Sequence, residues 1–238
     1  MKKLLFSAFL TAASVGFNST ADAVIIATTG AGEFSGTQGQ NGWDYGYWDV
    51  TNDASPGTYT HTSDFTPFIG GAASGAWSDT NYWNGSKWDF NPLGASNGNP
   101  PWTEITATSM HPNNLANGGT HASVLRYTVE AAPGDTLSIM GFFNNVSTNG
   151  DGTTGRILLN GAEQYAILTD GTTDNLGGGV TINGVSTGDV IDFMIDVGPA
   201  DSDGSDGTNY GFTIDRIPEP SAFALLLGSF ALALRRRR

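Results

Sequence analysis

Val190-Ile191-Asp192-Phe193-Met194-Ile195-Asp196-Val197 alternates apolar and polar residues with a period close to two. In an extended chain successive side chains point to opposite faces, so Ile191, Phe193, Ile195 and Val197 share one face and Asp192 and Asp196 point to the other. The pattern recurs on both sides. Tyr210, Phe212 and Ile214 alternate with Gly211, Thr213 and Asp215, and Leu125, Tyr127 and Val129 alternate with Arg126, Thr128 and Glu130. Leu137, Ile139, Gly141 and Phe143 mark a further strand. Residues 156–159 and 164–168 flank Asn160-Gly161, a dipeptide suited to the positive φ angles of a type I′ hairpin. Asn183-Gly184 and Gly188-Asp189 mark later turns, and no long stretch shows a helical period. Short strands at this spacing predict an all-β domain, an antiparallel β-sandwich or jelly roll. Its core should include Leu125, Tyr127, Ile139, Ile157, Ile191, Phe193, Ile195 and Phe212.

The first half of the chain is less regular. All six tryptophans, Trp43, Trp48, Trp77, Trp83, Trp88 and Trp102, lie there in Gly-, Asn- and Ser-rich sequence. No Pro- or Ser-rich linker separates the halves, so one domain over residues 24–216 is expected.

That domain is strongly acidic. It carries four basic residues, Lys87, Arg126, Arg156 and Arg216, against 21 acidic ones. Such a surface repels nucleic acid and anionic lipid and attracts divalent cations. The many aromatics and regular apolar runs argue against disorder. Cysteine is absent, which excludes disulfides, thiol chemistry and cysteine-ligated zinc.

Both ends read as signals. Lys2 and Lys3 precede an apolar or small stretch at residues 4–17, and Ala21-Asp22-Ala23 places small residues where a signal peptidase reads them. Residues 1–23 are therefore expected to be a secretory signal helix, cut after Ala23. At the other end, Ile217-Pro218-Glu219-Pro220 precedes Ser221, an apolar run at residues 222–234, and Arg235, Arg236, Arg237 and Arg238. At 1.5 Å per residue the run covers about 20 Å of a ~30 Å hydrocarbon core, and counting from Ile217 brings it close to spanning length. The arginines would stop a translocating chain at the cytoplasmic face.

The triplet Pro218-Glu219-Pro220, the apolar helix and the arginine cluster, in that order, resemble the PEP-CTERM sorting signal of Gram-negative, biofilm-forming bacteria. The resemblance covers residues 217–238. It implies processing by an exosortase near Pro218–Pro220, an inner-membrane intermediate, and release to the cell surface or extracellular matrix, often alongside exopolysaccharide production. A plain single-span transmembrane anchor is the other reading of the tail.

A second resemblance spans most of residues 24–216. It rests on Gln38-Gly39-Gln40-Asn41-Gly42-Trp43-Asp44-Tyr45-Gly46-Tyr47, His111-Pro112, Leu125-Arg126-Tyr127, Gly150-Asp151-Gly152, Arg156-Ile157, Asn160-Gly161, Gly188-Asp189-Val190-Ile191-Asp192-Phe193, and Asp206 with Phe212. This order of features is similar to a β-sandwich module of exported proteins in Planctomycetes and Verrucomicrobia. It implies a galactose-binding-like jelly roll, a fold used widely by non-catalytic carbohydrate-binding modules, though fold alone does not fix function.

Three groups of residues can carry chemistry. Trp77, Trp83 and Trp88, among Asp79, Asn81, Asn84, Ser86 and Lys87, are the candidate rings for stacking on a glycan; Trp43 and Trp48 are expected in the core. Asp201, Asp203 and Asp206 give a loop with the carboxylate density of a calcium site, although Asp206 stands where an EF-hand needs Gly and Phe212 where it needs Glu. Asn149-Gly150-Asp151-Gly152 is a second oxygen-rich turn. His61, His111 and His121 are the only histidines and form no zinc motif. No nucleophile elbow, P-loop or dinucleotide fingerprint is present, so no catalytic residue is assigned. Three readings stay open: a non-catalytic, carbohydrate-binding surface protein; a polysaccharide-active enzyme, whose carboxylate pair only space can reveal; and a structural or adhesive matrix protein.

Overall fold

The computed structural model describes residues 23–55, 57–70, 82–90, 100–145 and 147–217. Along them run β1 (Val24–Thr28), β2 (Trp43–Asp49), β3 (Thr66–Pro67), β4 (Trp88–Asp89), β5 (Glu104–Ile105), β6 (Ser109–His111), β7 (His121–Thr128), β8 (Asp135–Asn145), β9 (Thr153–Leu159), β10 (Ala162–Thr169), β11 (Thr172–Asn175), β12 (Val180–Val185), β13 (Val190–Val197) and β14 (Thr208–Ile217). A 3-10 turn occupies Leu115–Asn117, and no α-helix occurs among the described residues. Every strand pairing is antiparallel. The expected signal helix and hydrophobic tail helix lie outside the described residues. Among those described, no helix is long and apolar enough to cross a membrane.

The opening stretch is β13. It lies inside a six-stranded sheet of order β10-β9-β13-β7-β2-β3. The second sheet runs β11-β8-β14-β6-β5-β4, with β1 on β14 and β12 on β8. The two sheets meet through the residues whose alternation marked them. Phe193 of β13 stacks on Phe212 of β14 with centroids 4.2 Å apart. All eight residues named from sequence as core are buried. Burying one such side chain stabilises the fold by about 1.5–3 kcal/mol. At one point the sheets come too close for any side chain: a Cβ on Gly155 of β9 would sit 2.6 Å from the Phe143 ring of β8. Asn160 (φ 49°) and Gly161 (φ 83°) take the left-handed conformations expected of the hairpin between β9 and β10.

Asp192 faces away from the inter-sheet core, as the alternation predicts. It is nevertheless fully buried. The reason is a second layer. Residues 50–55 and 57–65 fold over the outer face of the six-stranded sheet, where Tyr59 of this segment buries itself against Trp48, Ala122, Val124, Leu158 and Met194, with Val50 and Phe65 packed against the cluster. Arg126 reaches Asp192 with Nε (2.7 Å) and Nη2 (2.9 Å). Its Nη2 also donates to Tyr59 Oη and the His61 carbonyl, and its guanidinium lies 3.9 Å from the Phe65 ring centroid. Val197, expected to share the buried face, is only half-buried.

Ala23–Glu219 forms one compact unit that contains the whole inter-sheet core. Its first and last strands pair with each other, Val24 opposite Arg216.

Candidate functional site

Between the covering segment and strands β9, β10 and β13 of the six-stranded sheet lies an open groove of about 340 Å³. Half-buried Val50 and the narrow exposed margins of Trp48 and Leu158 line its apolar part above the fully buried Met194, and Gly57, Thr58 and Tyr59 come from the covering segment. Arg156, Glu163 and Asp196 supply the charge. The register brings these groups together: Arg156 of β9 pairs with Met194 of β13, and Glu163 of β10 pairs with Leu158 of β9. Arg156 donates from Nη1 to Glu163 Oε2 (2.5 Å) and from Nε to Asp196 Oδ2 (3.1 Å). Burial lifts the Asp196 carboxyl above its usual range against the pull of Arg156. Burial also works to lower the Arg156 guanidinium, but the carboxylates outweigh it and hold the group charged. The groove thus offers an apolar floor beside a fixed array of donors and acceptors. That combination suits a small, neutral, hydroxyl-rich molecule.

A different chemistry occupies one end of the sandwich. The two oxygen-rich stretches noted in the sequence meet there. A Cβ on Gly150 would lie 2.5 Å from the Gly204 carbonyl oxygen and 3.7 Å from Asp206 Oδ1, so only glycine allows this approach. Asp206 is fully buried, and no protein group hydrogen-bonds to either of its carboxylate oxygens. Burial, with the charges of Asp151 and Asp203 added, pushes its pKa up to about 7. Asp151 accepts from the Ala200 amide on Oδ2 (2.5 Å), while its buried Oδ1 has no partner.

The other two members of the proposed calcium loop do different work. Asp203 accepts from Asn117 Nδ2 on both oxygens (2.8 Å each) and from the Asn114 amide (3.1 Å), which fastens the loop to the 3-10 turn. Asp201 is exposed, and its carbonyl accepts from Asn114 Nδ2 at 3.1 Å. The trio therefore does not converge, and Asp151 takes the place beside Asp206 that sequence proximity gave to its neighbours.

The stacking rings require a correction. Trp83 and Trp88 are buried members of the inter-sheet core. Trp88 stacks on Tyr45 (5.6 Å, 18°) and donates from Nε1 to the Ser35 carbonyl, and Trp83 packs on Trp88 at 5.2 Å. A ring enclosed in this way has no face for a sugar. Trp77 lies outside the described residues. Trp43 and Trp48 are buried as expected, and Trp102 is half-buried. The histidines form no metal site: His121 is buried against Thr103 Oγ1 (3.0 Å), where burial lowers its pKa, and His111 Nδ1 meets the Pro112 carbonyl.

Sequence reasoning did not single out Arg156, Glu163 and Asp196. The available signals were the outward register of Asp196 and the rarity of basic residues.

No protein-family profile and no curated protein matches the chain. Several solved structures are similar to it, among them three carbohydrate-binding modules and a beta-glucosidase from Kluyveromyces marxianus in complex with glucose, the last 13% identical over 89% of this chain and 20% of that one with a TM-score of 0.27. One is CBM51 from Clostridium perfringens GH95 in complex with methyl-galactose, 12% identical, covering 59% of this chain and 83% of that one with a TM-score of 0.31. A family 35 carbohydrate-binding module from Clostridium thermocellum is 17% identical over 41% of this chain and 71% of its own, with a TM-score of 0.27. The CBM36-1 domain of a multidomain xylanase from the hindgut metagenome of Trinervitermes trinervoides is 16% identical over 44% and 85%, with a TM-score of 0.26. Overlaps this partial transfer no ligand or site to this chain, and its two-sheet architecture rests on the strand pairings above.

Proposed function

We propose that the chain is an exported, exosortase-sorted protein of the cell surface or extracellular matrix whose sandwich domain binds neutral glycans without turning them over. The groove carries the binding reading: an apolar floor of half-buried Val50 with the exposed margins of Trp48 and Leu158 lies beside a guanidinium held between two carboxylates. Sugars present C–H faces to the first and hydroxyls to the second. The net negative surface favours uncharged glycans. Glu163 and Asp196 both accept from Arg156, which restrains them as binding groups.

The sorting reading rests on the two terminal motifs. It is supported by the pairing of Val24 with Arg216, since removal of residues 1–23 and of the tail beyond Pro218 takes no strand from the sandwich.

A glycan array tests the binding reading. Segment 23–219 should retain neutral oligosaccharides, and Arg156→Ala should lose that retention while its circular dichroism spectrum stays that of a folded β protein. Unchanged retention by the folded variant would remove the groove from consideration. Release of reducing ends from a retained glycan would favour the hydrolase reading.

A further inference from the structure

We propose that Asp206 and Asp151 hold a hard divalent cation, Ca²⁺ by its chemistry, at the end of the sandwich, clamping the turn at residues 149–152 to the loop at residues 201–206. The first support is the state of the two carboxylates. Asp206 is fully buried with both oxygens unpartnered, and Asp151 buries an unpartnered Oδ1. Buried acceptors without donors are costly, and carboxylates most of all, unless something positive neutralises them.

Among the described residues no cation does so. Each of the four basic residues in the domain is committed elsewhere: Lys87 to Asp89 and Glu104, Arg126 to Asp192, Arg156 to Glu163 and Asp196, and Arg216 to Asp135. The carboxyls nearest Asp206 add repulsion, since Asp151 and Asp203 both raise its pKa.

The donor set selects the ion. Among the described residues no three Asp, Glu or His side chains converge into a ready metal centre. The two carboxylates would be completed by main-chain oxygens, of which the Gly204 carbonyl already lies against Gly150 beside Asp206 Oδ1. An all-oxygen set on irregular turns suits Ca²⁺, which accepts loose geometry, over Mg²⁺, which demands an octahedron, and over softer metals.

The titratable groups around Asp206 are Asp151 on the 149–152 turn, Asp203 on its own loop, and His111, whose ring lies 3.8 Å from a Cβ built on Gly207.

The test is calorimetric titration of chelator-stripped segment 23–219 with CaCl₂ and, separately, MgCl₂. One Ca²⁺ per chain is expected at pH 8, with a rise in Tm that equal MgCl₂ does not reproduce. Asp206→Asn and Asp151→Asn should each weaken it at least tenfold, while Asp201→Asn leaves it unchanged. Should Asp206→Asn fail to fold, Asp151→Asn decides. Absence of saturable binding by the wild type at millimolar Ca²⁺ would overturn the proposal, as would equal affinity in Asp151→Asn. A wild type that ignores Ca²⁺ beside a more stable Asp206→Asn would mean that Asp206 is simply a protonated buried acid, and would overturn it too.

Discussion

Arg126 grips Asp192 through two hydrogen bonds, Nε to Oδ1 at 2.7 Å and Nη2 to Oδ2 at 2.9 Å, beneath the segment that covers the outer face of the six-stranded sheet. Tyr59 closes the unit by donating its hydroxyl to Asp192 Oδ2 at 3.0 Å. The pair fastens the covering segment to the sheet and so sets the wall of the groove. Arg126→Ala should leave a buried, unpaired carboxylate and cost about 3–5 kcal/mol in urea unfolding. Replacing both partners with Met and Leu should recover much of that loss, because burial of an ion pair is itself costly. A loss under 1 kcal/mol for Arg126→Ala would show that the covering layer is held by other contacts.

The close approach of the sheets at Gly155 makes a second prediction. A methyl group there meets the Phe143 ring at 2.6 Å, so Gly155→Ala should destabilise the domain by about 1–3 kcal/mol through overpacking. Chemical denaturation at constant m-value is the check, and trimming the ring in Phe143→Leu should relieve part of the effect.

Trp88→Ala should cost about 3–5 kcal/mol, since the ring is fully buried between Tyr45 and Phe68. It should not selectively abolish glycan retention in whatever fraction stays folded. Loss of retention at full stability would restore the stacking role expected from sequence.

These residues show where sequence was informative. The alternation in β13 and β14 and the Asn160-Gly161 turn are local signals, and they yielded the sandwich, its hairpin and its core. Trp83 and Trp88 misled because Gly-, Asn- and Ser-rich surroundings read as surface loop, while contacts from β2 and Phe68 decide their burial. The face of Asp192 was legible but its burial was not, because period two separates the faces of a strand and does not say whether the second face is covered. Asp151 and Asp206 lie far apart in the chain, and no local motif could pair them.

The crowded carboxyl of Asp206 sets a pH dependence. Its pKa in the folded domain is raised from 3.8 to about 7, so the folded state keeps a proton that the unfolded state has released. The stabilisation this gives is complete below about pH 4 and is lost as pH rises to about 7. In chelator the urea midpoint should therefore fall between pH 5 and pH 8. The fall should be smaller in Asp206→Asn, which removes this titration but keeps the general repulsion of an acidic domain. Identical pH profiles for the two proteins would mean that Asp206 titrates normally.

The binding groove is the central functional claim, and amide chemical-shift mapping tests it most directly. Isotopically labelled segment 23–219 would be titrated with the neutral oligosaccharide best retained on the array. The account predicts saturable shifts concentrated at Arg156, Leu158, Glu163, Met194 and Asp196 and at Thr58 and Tyr59 of the covering segment. Saturable shifts confined to another face of the sandwich, with these amides unmoved, would contradict it.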